Sequence, residues 1–238
     1  MKLNTTLLTK TPARSSVMIA LLGTVLSFSA CKTDVQQPEI ISALAVTNAA
    51  ATLPTVDFTV EGAKIKNGGL LFGQKVDYLR FYPGNLTGAV YVTGETKSLF
   101  SNSFNLEAGK YHSLYILSEG TTVSYLVVKD EYKQETTDKA QVRFANLSSD
   151  SPAYNLELEG DTTTFSDRAY KTLTPYKYVK PAIFKVLLRN KATNEVVATS
   201  ENIELKANKY YTIWAKGLIT TTVDAQKIGI QVSQHFVN

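Results

Sequence analysis

From residue 40 onward, apolar residues fall on every second position. Val56, Phe58 and Val60 alternate with Asp57, Thr59 and Glu61. Leu156 and Leu158 alternate with Glu157 and Glu159, and the series Ala182, Phe184, Val186, Leu188 leaves Lys185 and Arg189 on the other face. A period of two is that of a strand with one face buried. No stretch after Cys31 holds a helical period. Turn sequences such as Asn67-Gly68-Gly69, Pro83-Gly84-Asn85, Gly94-Glu95 and Asn190-Lys191 recur at short intervals, the spacing of a sandwich. The pattern predicts an all-β chain of antiparallel strands.

The pattern also repeats. Asn48, Pro54 and Gly62 return 98 residues later as Asn146, Pro152 and Gly160. Leu106-Glu107-Ala108-Gly109-Lys110-Tyr111 returns 99 residues later as Leu205-Lys206-Ala207-Asn208-Lys209-Tyr210. The exchange of Gly109 for Asn208 is informative, because Gly and Asn best tolerate positive φ; both copies should turn through a left-handed residue before a strand. Each copy is about 95 residues, a size that suits an immunoglobulin-like sandwich of about seven strands. The expected organisation is a first sandwich over 40–129, a linker over the polar run 130–139, and a second sandwich over 140–238.

The N-terminal region has a different pattern. Lys2, Lys10 and Arg14 precede an apolar run over 17–30, and no acidic residue occurs before Asp34. A basic start followed by a short apolar segment reads as a signal peptide over 1–30. Fourteen residues of helix reach about 21 Å, short of the ~30 Å hydrocarbon core. Ser29-Ala30-Cys31 resembles the lipobox of bacterial lipoproteins, with Phe28 where that motif prefers Leu. The resemblance implies that Cys31 is lipidated and becomes the first residue after cleavage. Residues 31–39, polar and containing Pro38, then read as a tether. The expected location is the cell envelope, anchored to the outer membrane of a Gram-negative bacterium.

Removing 1–30 changes the charge picture. The whole chain has a net charge of +4, but from Cys31 onward there are 22 basic and 21 acidic residues. That balance lacks the basic excess of a nucleic-acid binder. Cys31 is the single cysteine, so with its sulfur acylated no thiol is left for a disulfide, a metal or a nucleophile.

The stretch over 140–155, with Arg143 in a strand, a loop Ser148-Ser149-Asp150-Ser151-Pro152 and a following strand, resembles the opening of the bacterial domain of unknown function 4397 family. Ala207-Asn208-Lys209-Tyr210-Tyr211-Thr212 resembles its later segment. The first copy departs at 49–53, where the Ser/Asp loop is absent, but has Asp57 where the second has Asn155. The resemblance implies tandem immunoglobulin-like sandwiches on secreted or surface proteins, often lipoproteins, with no assigned activity.

Candidate chemistry is sparse. His112 corresponds to Tyr211, an exchange that points to packing, and His235 has no second histidine at ligand spacing. Glu157 and Glu159 share one strand face, unlike a glycosidase pair across a cleft. Asp150, Glu159 and Asp161 lack a calcium-loop pattern, and solvation of the loop is the simpler expectation. Tyr78, Phe81 and Tyr82 in the first copy, and Tyr170, Tyr176 and Tyr178 in the second, can stack on sugars. Their recurrence, including Tyr111 with Tyr210 and Tyr82 with Tyr178, favours packing instead. The sequence therefore predicts a non-enzymatic binding or adhesion module without cofactors. Its partners would be the membrane, through the lipid, and a protein or glycan ligand whose contact residues the sequence does not reveal. A glycan-binding accessory lipoprotein or a fimbrial subunit, with a swappable strand over 227–237, are the alternatives.

Overall fold

The computed structural model describes residues 40–133 and 138–237. The expected signal peptide, Cys31 and the expected tether lie outside the described residues, as do residues 134–137 of the expected linker. No helix among the described residues is long and apolar enough to cross a membrane.

The first copy holds β1 (Ser42–Asn48), β2 (Val56–Val60), β3 (Ala63–Lys64), β4 (Lys75–Phe81), β5 (Gly84–Val92), β6 (Ser98–Leu106), β7 (Tyr111–Glu119) and β8 (Thr122–Lys129). The second holds β9 (Ala140–Asn146), β10 (Tyr154–Leu158), β11 (Phe165–Arg168), β12 (Thr172–Leu173), β13 (Lys177–Val179), β14 (Ala182–Asn190), β15 (Val196–Leu205), β16 (Tyr210–Lys216) and β17 (Gly229–His235). The chain is all-β, and each copy is a β-sandwich of two sheets. The orders are β4-β1-β7-β8 over β3-β2-β5-β6, and β12-β9-β16-β17 over β11-β10-β14-β15, with β13 also pairing β9. In both copies the first strand runs parallel to a late one, β1 with β7 and β9 with β16.

Each sandwich has its own core. Leu44, Val46, Leu114 and Ile116 face Val56, Phe58, Val90 and Phe104 in the first. Val142, Phe144 and Ile213 face Leu156, Phe184, Val186 and Leu188 in the second. The expected alternation is clear in β10, where Tyr154, Leu156 and Leu158 are buried and Asn155 and Glu157 half-buried. It fails in β2, where Asp57 is buried too. Lys64 reaches that carboxylate at 2.6 Å and Thr93 donates to it at 3.3 Å, which replaces the water lost on burial.

The two turns singled out by the Gly/Asn exchange are left-handed, with φ of 68° at Gly109 and 54° at Asn208. The strand after each turn reaches back in the same way. His112 Nε2 accepts the Glu107 N–H at 3.3 Å, and the Tyr211 hydroxyl accepts the Lys206 N–H at 3.1 Å. His112 is thus a packed histidine doing its tyrosine counterpart's task. One tyrosine equivalence shifts. β13 pairs Val179 with Ala140, as β4 pairs Phe81 with Ser42. Tyr178 therefore matches Arg80, and the exposed Tyr82 has no tyrosine counterpart.

Candidate functional site at the sandwich junction

β1, β7, β9 and β16 are buried on both faces, beyond what a half-buried strand predicts. The second face of each is covered by the other sandwich. Tyr115 and Leu117, which alternate with the core residues Leu114 and Ile116, pack with Ala49, Ala145, Leu147 and Trp214. Trp214 is fully buried and its indole N–H donates to Ser233 Oγ at 3.2 Å. Burying side chains of this size contributes roughly 1.5–3 kcal/mol each.

Beside this apolar seam lies a buried polar network. Arg143 projects from β9 on the face opposite Val142 and Phe144. Its Nη2 is 2.6 Å from Asp130 Oδ1, with both side chains nearly sealed from solvent. Arg143 also donates to Thr212 Oγ1 at 2.8 Å, to Ser113 Oγ at 3.1 Å and to the Tyr115 hydroxyl at 3.1 Å. Asp130 Oδ2 accepts from Ser113 at 2.8 Å and from Tyr78 at 2.6 Å. The Tyr78 hydroxyl meets that of Tyr132 and lies 3.3 Å from His235 Nδ1, while His235 Nε2 lies 2.8 Å from Thr212 Oγ1. The guanidinium of Arg143 stacks over Tyr176 at 4.7 Å from the ring centre, and Tyr132 packs against Tyr176 and Tyr210.

The charges follow from this packing. Burial alone would lower the Arg143 guanidinium, but Asp130 outweighs it and holds Arg143 well above its ordinary value. Burial, with Asp130 and Tyr176 adding to it, pushes the Tyr78 hydroxyl far up; burial, Tyr176 and Asp130 do the same to Tyr132. His235 is driven well below its usual range by burial first, then by Arg143 and Lys75. The network is thus one ion pair ringed by neutral donors and acceptors.

Asp130 was expected at the start of a solvated linker. It is a buried anchor, and Lys133 continues the attachment by exchanging two hydrogen bonds with the Gln141 side chain, at 2.7 and 3.0 Å. Asp150 is also more than a solvated loop residue. Its carboxylate accepts the Ile219 and Thr220 N–H groups at 2.9 Å each and the Thr220 hydroxyl at 2.7 Å. These bonds outweigh burial and hold it below the usual carboxylate range. Glu157 pairs with Arg189 at 2.6 Å. Among the described residues no cluster of His, Cys, Asp and Glu is arranged to hold a metal ion.

Next to the network the junction opens into a cleft of about 510 Å³. Arg143 and Tyr176 lie at its inner end, and Lys129, Lys133, Lys171, Glu131, Leu173 and Pro175 form its walls. Lys129 pairs with Glu107 at 3.0 Å, Lys171 with Glu119 at 3.7 Å, and Lys133 sits over the Tyr178 ring at 5.1 Å. Among the described residues, four cations and one carboxylate line the cleft.

The family model described as Domain of unknown function (DUF4397) matches residues 42–157. Over this stretch the chain is similar to the DUF4397 family. The DUF4397 match takes in the whole first sandwich and continues through β9 into β10, so it contains both Asp130 and Arg143. No curated protein matches the chain. Among solved structures, a family CBM26 carbohydrate-binding module, CBMbc of Eubacterium rectale Amy13K in complex with maltoheptaose, is 9% identical, with a TM-score of 0.27, over 82% of this chain and 97% of its own. A proposed cell adhesion protein from Parabacteroides distasonis is 9% identical, with a TM-score of 0.21, over 82% of this chain and 99% of its own.

Proposed function

We propose that this chain is a non-enzymatic binding module, held at the cell envelope by a lipid on Cys31, that seats an acidic glycan in the junction cleft. The observation that carries the reading is the cleft itself: a concavity of about 510 Å³ walled by Lys129, Lys133 and Lys171 with Arg143 behind them. Its size lies within the roughly 300–1,000 Å³ usual for small-ligand sites, a poor match to the broad contact of a protein partner. The cations would meet carboxylate or sulfate groups, which Lys and Arg recognise by charge-assisted hydrogen bonds. Recognition by charge suits this cleft better than stacking on neutral sugars, because Tyr176, the aromatic ring that lines it, is buried and the exposed Tyr82 lies outside its lining. The non-enzymatic part of the reading rests on how the titratable groups are used: His112 caps a turn, and His235 and Asp130 are tied into the junction.

The test is a glycan array probed at low and high salt, repeated with Lys133→Glu and Lys171→Glu. Acidic glycans should bind, binding should weaken with salt, and each reversal should cost about tenfold, the equivalent of ~1.4 kcal/mol. Equal retention of neutral glycans, or binding indifferent to both reversals, would exclude the cleft as the site. The anchor is tested separately. Cys31→Ala should abolish incorporation of a fatty-acid analogue, since the chain has no other cysteine; continued labelling and membrane partitioning would contradict lipidation.

A further inference from the structure

β6 is an outer strand whose sequence, Ser98-Leu99-Phe100-Ser101-Asn102-Ser103-Phe104-Asn105-Leu106, carries no charge and no proline. Among the described strands it pairs with β5 alone. Three other outer strands, β4, β15 and β17, carry the usual protection against pairing with a further strand, whereas β8 has a charge only at its end, Lys129. β4 holds Lys75, Asp77 and Arg80. β15 holds Glu201 and Glu204 and is broken by Asn202 at φ 55°. On β17 the Gln234 carbonyl is taken by the Lys75 ammonium.

The hydrogen-bonding side of β6 can be read from its neighbour. Thr87, opposite Ser103 in the register, has both its carbonyl and its N–H engaged by Glu61 on the far side of β5. Ser103 therefore turns its own N–H and C=O away from β5, and strand alternation places Ser101 the same way. The Ser103 N–H is met at 2.9 Å by the side-chain oxygen of Asn102, a local stand-in for an absent strand.

We infer that two copies of this chain pair antiparallel through β6, about a two-fold axis at Asn102. The segment Phe100-Ser101-Asn102-Ser103-Phe104 reads the same in both directions, so a two-fold makes each contact self-complementary. Ser101 faces Ser103 of the second copy as a hydrogen-bonded pair, using the groups that point away from β5. Phe100 faces Phe104 of the second copy, and Asn102 meets itself at the close, non-hydrogen-bonded position. The result is one continuous eight-stranded sheet, β3-β2-β5-β6 joined to its own copy. No described residue of β6 lines the junction cleft, so the pairing uses none of the cleft's residues.

Asn102 is solvent-exposed, so a charge there is tolerated by the monomer but places like charges face to face on the axis. The experiment is sedimentation analysis of the full chain in mild detergent, with Asn102→Lys, Asn102→Asp and their equimolar mixture, and circular dichroism to check folding. Each variant alone should dimerise about tenfold or more weakly than the unaltered chain, and the mixture should recover, because Lys then faces Asp. A chain that stays monomeric at high concentration, a dimer unaffected by Asn102→Lys, or loss in both variants without recovery on mixing overturns the proposal.

Discussion

Gly109 and Asn208 show how far single residues can be read. Their exchange at matching positions predicts positive φ, and both residues have it. A Cβ at Gly109 would touch only the Ile40 methyl at 3.4 Å, so the conformation, more than space, restricts the site. Gly109→Val should cost roughly 1–3 kcal/mol as backbone strain at a special position, whereas Asn208→Gly should be near neutral, relief of strain being offset by a freer unfolded chain. Denaturant midpoints of the two variants check this, and a Gly109→Val protein of unaltered stability would contradict it. Asn48 and Asn146 were equally legible as a recurring pair: in each, Oδ1 accepts the N–H two residues on, at 3.0 and 3.2 Å. Asp130 was not legible. Its polar neighbours in sequence look like a linker, and only the fold brings it to Arg143, 13 positions away.

At the scale of elements, strand existence followed from periodicity, but β9 shows why its burial did not. Val142 and Phe144 fill one face, and the other carries Gln141, Arg143 and Ala145, which reads as solvated until a second sandwich covers it. β17 makes a similar point. It lies within the 227–237 segment that a fimbrial subunit would exchange; here it is paired to β16 over seven residue pairs and ends on His235 in the network. That histidine gives the strand a pH signature. His235 is held well below its ordinary pKa by burial, Arg143 and Lys75, and His112 is lowered by burial against the opposing pull of Asp130 and Glu107. In the unfolded chain both protonate near pH 6.5. The stabilisation is thus complete above that pH and is lost as pH falls below it, by at most about 1.4 kcal/mol per pH unit for each histidine. Urea unfolding at pH 7.5, 6.5 and 5.5 should show the decline, and His235→Gln should flatten it; an unchanged slope in that variant would remove His235 as a source.

At the scale of the whole molecule, the repeat was visible as a duplication, but the joining of its halves was not. Joining depends on outward faces that resemble ordinary surface in sequence, apart from Trp214 and Tyr115. Residues 39–238 form one compact unit, and the junction contains apolar packing, a buried ion pair and the floor of the cleft. Removing one partner of such a pair, as in Asp130→Ala, typically costs about 3–5 kcal/mol because the other charge is left buried. With such a junction the two sandwiches should unfold as one unit, and the cleft between them is then preformed. The most direct measurement is urea unfolding followed at once by Trp214 fluorescence and by hydrogen exchange of β2 and β5 in the first sandwich and of β10 and β14 in the second. A single transition with coincident midpoints is expected for all three, and two separated transitions, one for each sandwich, would contradict a single folding unit.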